Sequence, residues 1–172
     1  RLFANLATQQ IHANHRTERV MREKRIRIES VLEEKAFEIA YQPIVDLGDM
    51  QPKGFEALSR FSAEPYRTPD IWFAEAAEVG LAAELELAAI RHAVRALNVL
   101  PADQYVSVNA SPQTVINPAF APAFSGLPLS RIVLEITEHA IIEDYDLFTK
   151  CLAPLRKRGL RIAVDDAGAG HS

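Results

Sequence analysis

Four short apolar runs in this chain each end on a side-chain oxygen. They read Gly54-Phe55-Glu56, Val106-Ser107-Val108-Asn109, Ile132-Val133-Leu134-Glu135 and Ile162-Ala163-Val164-Asp165-Asp166. Carboxylates and a carboxamide are hard oxygen donors, the ligand type that Mg²⁺ and Mn²⁺ take in preference to imidazole or thiolate. An apolar run of this length fits a buried parallel strand, and the C-terminal ends of such strands are where α/β barrels and open α/β sheets hold ligands. Glu56, Asn109, Glu135, Asp165 and Asp166 are therefore expected on one rim. Taken singly, each is most simply a solvated turn residue; the repetition at four strand ends points to a divalent-cation site. The five histidines show no ligand spacing. His92 sits on an apolar helical stripe as a core-edge residue, and Cys151 on another as a small buried hydrophobe.

The elements that must position these groups follow from periodicity. Strand-like segments near 38–45, 52–58, 105–109, 131–136 and 160–166 alternate with helical ones, the pattern of an α/β fold with a mainly parallel sheet. Leu47-Gly48-Asp49-Met50 is too short for a crossover helix, so the first two strands are expected to form an antiparallel hairpin. Leu81, Leu85, Ala89, His92, Ala96 and Leu100 predict a helix ahead of Pro101. Leu147, Phe148, Cys151, Leu152 and Leu155 predict another ahead of Gly159, kinked or weakened at Pro154. Ser111 followed by Pro112 predicts a helix start just after Asn109.

Residues 1–35 contain no Gly or Pro and are dense in helix formers, which reads as one long signalling or linker helix. Leu2, Leu6, Ala13, Val20, Arg27 (by its stem) and Val31 make a thin seam near heptad spacing. Parallel pairing with a second copy and a solvated linker are both open readings. The helix begins without Met, which suggests a further domain ahead of it.

With 172 residues, 48% hydrophobic and 24% charged, the chain has enough material for one domain with a sizeable core. A formal net charge of −4 argues against a broad basic face for nucleic acid. One cysteine cannot make an internal disulfide, which fits a reducing compartment. No apolar stretch approaches the roughly 20 residues of a membrane span, and no signal-peptide pattern opens the chain. The expectation is a cytoplasmic protein without a membrane segment. Five strands, one antiparallel, cannot close a barrel that usually takes eight, so the chain is expected to be part of a longer polypeptide.

Five ordered segments carry a family resemblance: Tyr41-Gln42-Pro43-Ile44-Val45, Glu56-Ala57-Leu58-Ser59-Arg60, Val108-Asn109-Ala110-Ser111-Pro112, Leu134-Glu135-Ile136-Thr137-Glu138 and Asp165-Asp166-Ala167-Gly168-Ala169-Gly170. Over residues 36–172 the chain resembles the N-terminal part of EAL domains, which are cyclic di-GMP phosphodiesterases. The resemblance implies a TIM-like (β/α)8 barrel with an antiparallel first strand, preceded here by the helix of residues 1–35. It also implies a two-metal Mg²⁺ or Mn²⁺ site on Glu56, Asn109, Glu135, Asp165 and Asp166, with Glu56, Asp165 and Asp166 at the catalytic centre and Asp165 bridging the metals. By the same resemblance Gln42 contacts guanine, Arg60 contacts phosphate and Glu138 holds the loop after the aspartate pair. The implied product is linear pGpG. The implied partners are cyclic di-GMP, a second copy paired through the helix or the barrel, and an upstream sensor domain in the same polypeptide.

The chain departs from the family loop Asp-Asp-Phe-Gly-Thr-Gly-Tyr, carrying Ala167, Ala169 and His171 in the Phe, Thr and Tyr places. Loss of a large aromatic and a hydroxyl weakens loop packing, so the expected effect falls on rate or regulation more than on metal binding. The family's catalytic lysine and two later site residues are expected beyond Ser172, which would leave this stretch inactive alone. A cyclic di-GMP receptor without turnover, or a dimeric signalling module without ligand, are the competing readings.

Overall fold

In the computed structural model, which describes residues 2–137 and 142–165 and the side chains of 15–136 and 142–164, the Leu47–Met50 connection turns β1 (Phe37–Val45) back on β2 (Pro52–Phe61). The hairpin is antiparallel, as expected, with a bulge at Ile44 and Val45. Two aspartates close its loop: Asp46 accepts from the Gly48 N–H at 2.8 Å and Asp49 from the Gln51 N–H at 3.0 Å. β3 (Tyr105–Asn109), β4 (Ile132–Thr137) and β5 (Arg161–Asp165) then join in parallel, giving the order β1-β2-β3-β4-β5. Each strand adds at the same edge through a helical crossover, the winding of a barrel; among the described residues the sheet is open. β2 runs past its expected end at 58 and takes Ser59, Arg60 and Phe61 into the ladder.

Helices cover the outer face of this sheet. They are α2 (Pro69–Glu78), α3 (Ala82–Ala93), α4 (Pro112–Val115), α5 (Phe120–Ala123) and α6 (Tyr145–Lys157), with α1 (Leu2–Glu34) ahead of the hairpin. The single helix expected up to Leu100 ends at Ala93 and tightens into a 3-10 turn over 94–98. Its buried face also differs from the expected stripe. Leu87, Ile90, Val94 and Leu97 enter the main core, while Leu85 enters a second cluster. The reason is that α3 is apolar around much of its circumference and packs between two cores, so spacing alone does not choose a face. α6 begins where Asp144 accepts the Leu147 N–H at 2.8 Å and runs through Pro154 to Lys157. It buries Phe148, Leu152 and Leu155, whereas Cys151 is only half-buried. α2 escapes the periodicity reading, although Thr68-Pro69-Asp70 is a helix-start signature and Gly80, at φ +73°, follows its end.

The main core lies between the outward residues of β3 and β4 (Val106, Val108, Ile132, Leu134, Ile136) and α3, α5 and α6. The second cluster joins Ile28 and Val31 of α1 to Phe37, Trp72, Ala76, Val79 and Leu85. The last turns of α1 are thus part of the packed body, and burying Ile28 and Val31 contributes about 2 kcal/mol each. Of the seam read from the sequence, Val31 is core, Val20 is exposed, and Arg27 acts through its guanidinium, which donates to Glu75 at 3.1 Å. Glu75 also pairs with Arg67, and Lys24 with Glu78. On β5 the outward Ile162 and Val164 are exposed.

Candidate functional site

Side chains alternate along a strand, and residues paired across a ladder share a face. Gln42 pairs with Glu56, Glu56 with Ser107, Asn109 with Glu135, and Glu135 with Ala163. Gln42, Glu56, Ser107, Asn109 and Glu135 therefore occupy one face, opposite the core residues Val106, Val108 and Leu134. The Asp165 position, two beyond Ala163, falls on that face by register.

The register also sets their levels. From the row of Glu56 and Ser107, Asn109 stands two residues further along β3. Val133 pairs with Ser107, so Glu135 stands two further along β4; Arg161 pairs with Val133, so the Asp165 position stands four further along β5. In a barrel the strands tilt by about 40°, and a fixed level climbs about one residue per strand. Climbs of two, two and four over one, two and three strands follow that slope as closely as alternation permits. On a wall of that tilt the candidate groups would stand near one level.

Below that level the Tyr105 ring forms an aromatic floor on the inner face. Tyr105 pairs with Gly54, and a Cβ at Gly54 would stand 2.7 Å from the Tyr105 ring. The Arg161 guanidinium covers the ring at 4.5 Å from its centroid. One row above, Ser107 Oγ is fully buried and has no hydrogen-bond partner among the described residues. A buried hydroxyl so placed beside Glu56 marks a polar spot on this face.

Glu56 and Glu135 are half-buried, while Gln42, Asn109 and Arg60 are exposed. Arg60 has the same strand parity as Glu56, donates to the Ser59 carbonyl at 2.9 Å, and pairs with no carboxylate among the described residues. No three His, Cys, Asp or Glu side chains among the described residues gather closely enough to hold a metal by themselves. The described share of the candidate set is two carboxylates, Glu56 and Glu135, and the Asn109 carboxamide. The side chain of Asp165 lies outside the described residues, as do Asp166, Glu138 and the Ala167, Ala169 and His171 loop positions.

One residue that the sequence reading missed supports Asn109. The Ala110 N–H donates to the Glu135 carbonyl at 3.1 Å. The Ser111 N–H and Oγ donate to the Glu86 carboxylate of α3 at 2.7 and 3.1 Å. Ser111 in turn caps α4 as expected, accepting the Thr114 N–H at 3.2 Å. Burial pushes the Glu86 carboxyl above its usual range, and the bonds from Ser111 and Thr114 offset only part of that rise. Glu86, Asn109, Ser111, Glu135 and Phe73 line a cavity of about 230 Å³. The available signal was a lone acid inside the apolar stretch Leu85 to Ile90. His92 lies at the core edge, edge-on to Phe37 at 5.9 Å.

The sequence profile of the EAL domain matches residues 24–172. The chain belongs to the EAL domain family. The match begins within α1, at the turns that pack on α2. Among curated relatives of this EAL domain, an uncharacterized signaling protein of Caulobacter vibrioides is 36% identical over 143 residues, covering 78% of this chain and 18% of the relative. The probable cyclic di-GMP phosphodiesterase PdeN of Escherichia coli K12 is 31% identical over 157 residues, covering 84% of this chain and 30% of PdeN. The chain thus spans less than a third of the length of either. Of solved structures, the PaMucR phosphodiesterase in complex with c-di-GMP superposes with TM-score 0.74 at 26% identity, covering 87% of this chain and 66% of that one. Klebsiella pneumoniae BlrP1, solved with manganese and c-di-GMP at pH 9.0, superposes with TM-score 0.62 at 29% identity, covering 80% and 36%. The open sheet with its outer helices is part of the TIM-like barrel of these EAL domains.

Proposed function

We propose that the protein containing this EAL domain hydrolyses cyclic di-GMP to linear pGpG with a pair of divalent cations, Mg²⁺ or Mn²⁺. The observation that carries the reading is the common face of Glu56, Asn109, Glu135 and the Asp165 position, with a register that climbs from strand to strand as a tilted barrel wall requires. These residues and Asp166 supply only oxygen donors, the chemistry a hard cation requires, and the orphaned Ser107 hydroxyl lies in the same wall. When bound, two such cations supply a water of lowered pKa and neutralise phosphodiester oxygens.

The chain's own residues then position the ligand. The Arg60 guanidinium, exposed and unpaired by a described carboxylate, offers a fork of donors to a phosphate. Gln42, opposite Glu56 in the hairpin, presents a carboxamide to guanine edges at the same level. Glu138 holds the loop that follows the aspartate pair. α1 carries input from an upstream sensor in a cytoplasmic, dimeric protein; in support, its last turns are fastened to α2 through Arg27 and Glu75, and Phe73 of α2 lines the cavity beside Asn109.

Incubation of the intact protein with cyclic di-GMP and Mg²⁺ or Mn²⁺, with nucleotides resolved by chromatography, tests the reading. Formation of pGpG that stops on chelation supports it. Binding without product selects a receptor, and neither binding nor product selects a scaffold.

A further inference from the structure

We infer that Glu86 is a positioning residue for Asn109, holding the β3–α4 turn so that the carboxamide stays at the level of Glu135. The inference rests on the metal-site reading above. β3 ends at Asn109, and the next two residues leave the sheet. Their backbone donors are fixed from two directions, Ala110 N–H by the Glu135 carbonyl and Ser111 N–H by the Glu86 carboxylate. One acceptor belongs to the strand that carries the partner ligand; the other comes from α3, whose flanking Leu85, Leu87 and Ile90 are buried on both sides of Glu86. Rigid anchorage of this kind lets a side chain define where a turn sits.

The contact extends beyond a helix cap. Ser111 already caps α4 through the Thr114 N–H, and Thr114 is fully buried with its hydroxyl 3.1 Å from Ser111 Oγ. Glu86 adds an acceptor for the turn's own N–H, which the α4 cap does not need. Because Glu86 and Asn109 also line the same cavity, a shift of the turn moves the carboxamide within the space where the cations would bind. Outer residues that orient a ligand are typically worth 10- to 100-fold in metal affinity.

What the turn requires is an acceptor with the reach of a glutamate side chain, not a negative charge. Glu86→Gln keeps that reach and presents a carbonyl oxygen to Ser111. Glu86→Asp keeps the charge and withdraws the oxygen by one methylene. Mn²⁺ titration of the intact protein, followed by electron paramagnetic resonance, is read beside amide exchange of the 109–114 segment without metal. Expected is wild-type affinity within about threefold for Glu86→Gln, and a loss of about tenfold or more for Glu86→Asp with faster exchange at Ser111. Wild-type affinity in Glu86→Asp, or a loss in Glu86→Gln that equals it, overturns the inference. If Asn109→Ala weakens Mn²⁺ binding and Glu86→Asp does not, only the positioning role fails. If the wild-type protein binds no Mn²⁺, the metal-site reading fails and the inference with it.

Discussion

Asn109 and Glu135 stand directly opposite one another in the parallel β3–β4 ladder, on the face that also carries Glu56 and Ser107. If both ligate the same cation pair, their truncations are not independent. Asn109→Ala and Glu135→Ala are each expected to weaken Mn²⁺ binding, and the double variant to lose less than the two singles predict. A coupling of about 1 kcal/mol or more in isothermal titration is the expected result, since residues in one network depart from additivity.

Arg60 offers a second, separable test. Arg60→Ala is expected to weaken cyclic di-GMP binding about tenfold or more while leaving Mn²⁺ affinity unchanged, because its guanidinium sits outside the candidate ligand set. Arg60→Lys is expected to recover only part of the loss, since an ammonium keeps the charge and not the planar fork. Titration of each variant with nucleotide, and separately with metal, distinguishes the two effects.

The aromatic floor makes a prediction about stability. A methyl group at Gly54 would overlap the Tyr105 ring, over which the Arg161 guanidinium also packs. Gly54→Ala is expected to lower stability by about 1–3 kcal/mol, the usual range for overpacking, as measured by urea unfolding. Pairing it with Tyr105→Leu is expected to recover part of that loss.

Acid is expected to loosen α1. Burial pushes the Glu75 carboxyl up, but the Arg27 and Arg67 guanidiniums outweigh it and hold the carboxyl below the usual glutamate range. A carboxyl depressed in the folded state contributes stability that is present above its unfolded pKa and is lost as pH falls through its folded one. Glu75→Gln is expected to cost about 2 kcal/mol at neutral pH, because two partly buried guanidiniums lose their partner. The difference from wild type is expected to shrink once pH falls below the ordinary glutamate value near 4.5 and to vanish only below the depressed folded one. Thermal unfolding of both proteins from pH 7 to pH 3 checks this.

Most of the sheet was legible because apolar runs bounded by turn residues have few other uses. The hairpin followed from the shortness of Leu47–Met50, and the α4 start from Ser111-Pro112, each a local signal with one dominant cause. The burial of α3 was not legible, since its apolar residues run around much of the helix and serve two cores, so no single stripe stands out. Ile28 escaped for a related reason: a heptad reading of α1 assumes a helical partner along its length, whereas its last turns meet α2, Phe37 and Trp72. Of the site, the oxygens could be found from sequence because each closes its own apolar run, although Glu56, expected at a strand end, lies mid-strand because β2 continues to Phe61. Their common level needed the register, and Glu86 needed the turn it holds, a contact between residues 25 apart.

The central claim is that oxygen donors from four strands grip cations at one level of the barrel wall. Anomalous diffraction from crystals of the intact protein grown with Mn²⁺ tests it most directly. The account predicts peaks within about 2.5 Å of carboxylate or carboxamide oxygens of Glu56, Asn109, Glu135 and Asp165. Peaks elsewhere, or an ordered wall with these oxygens turned away from any bound ion, would contradict it.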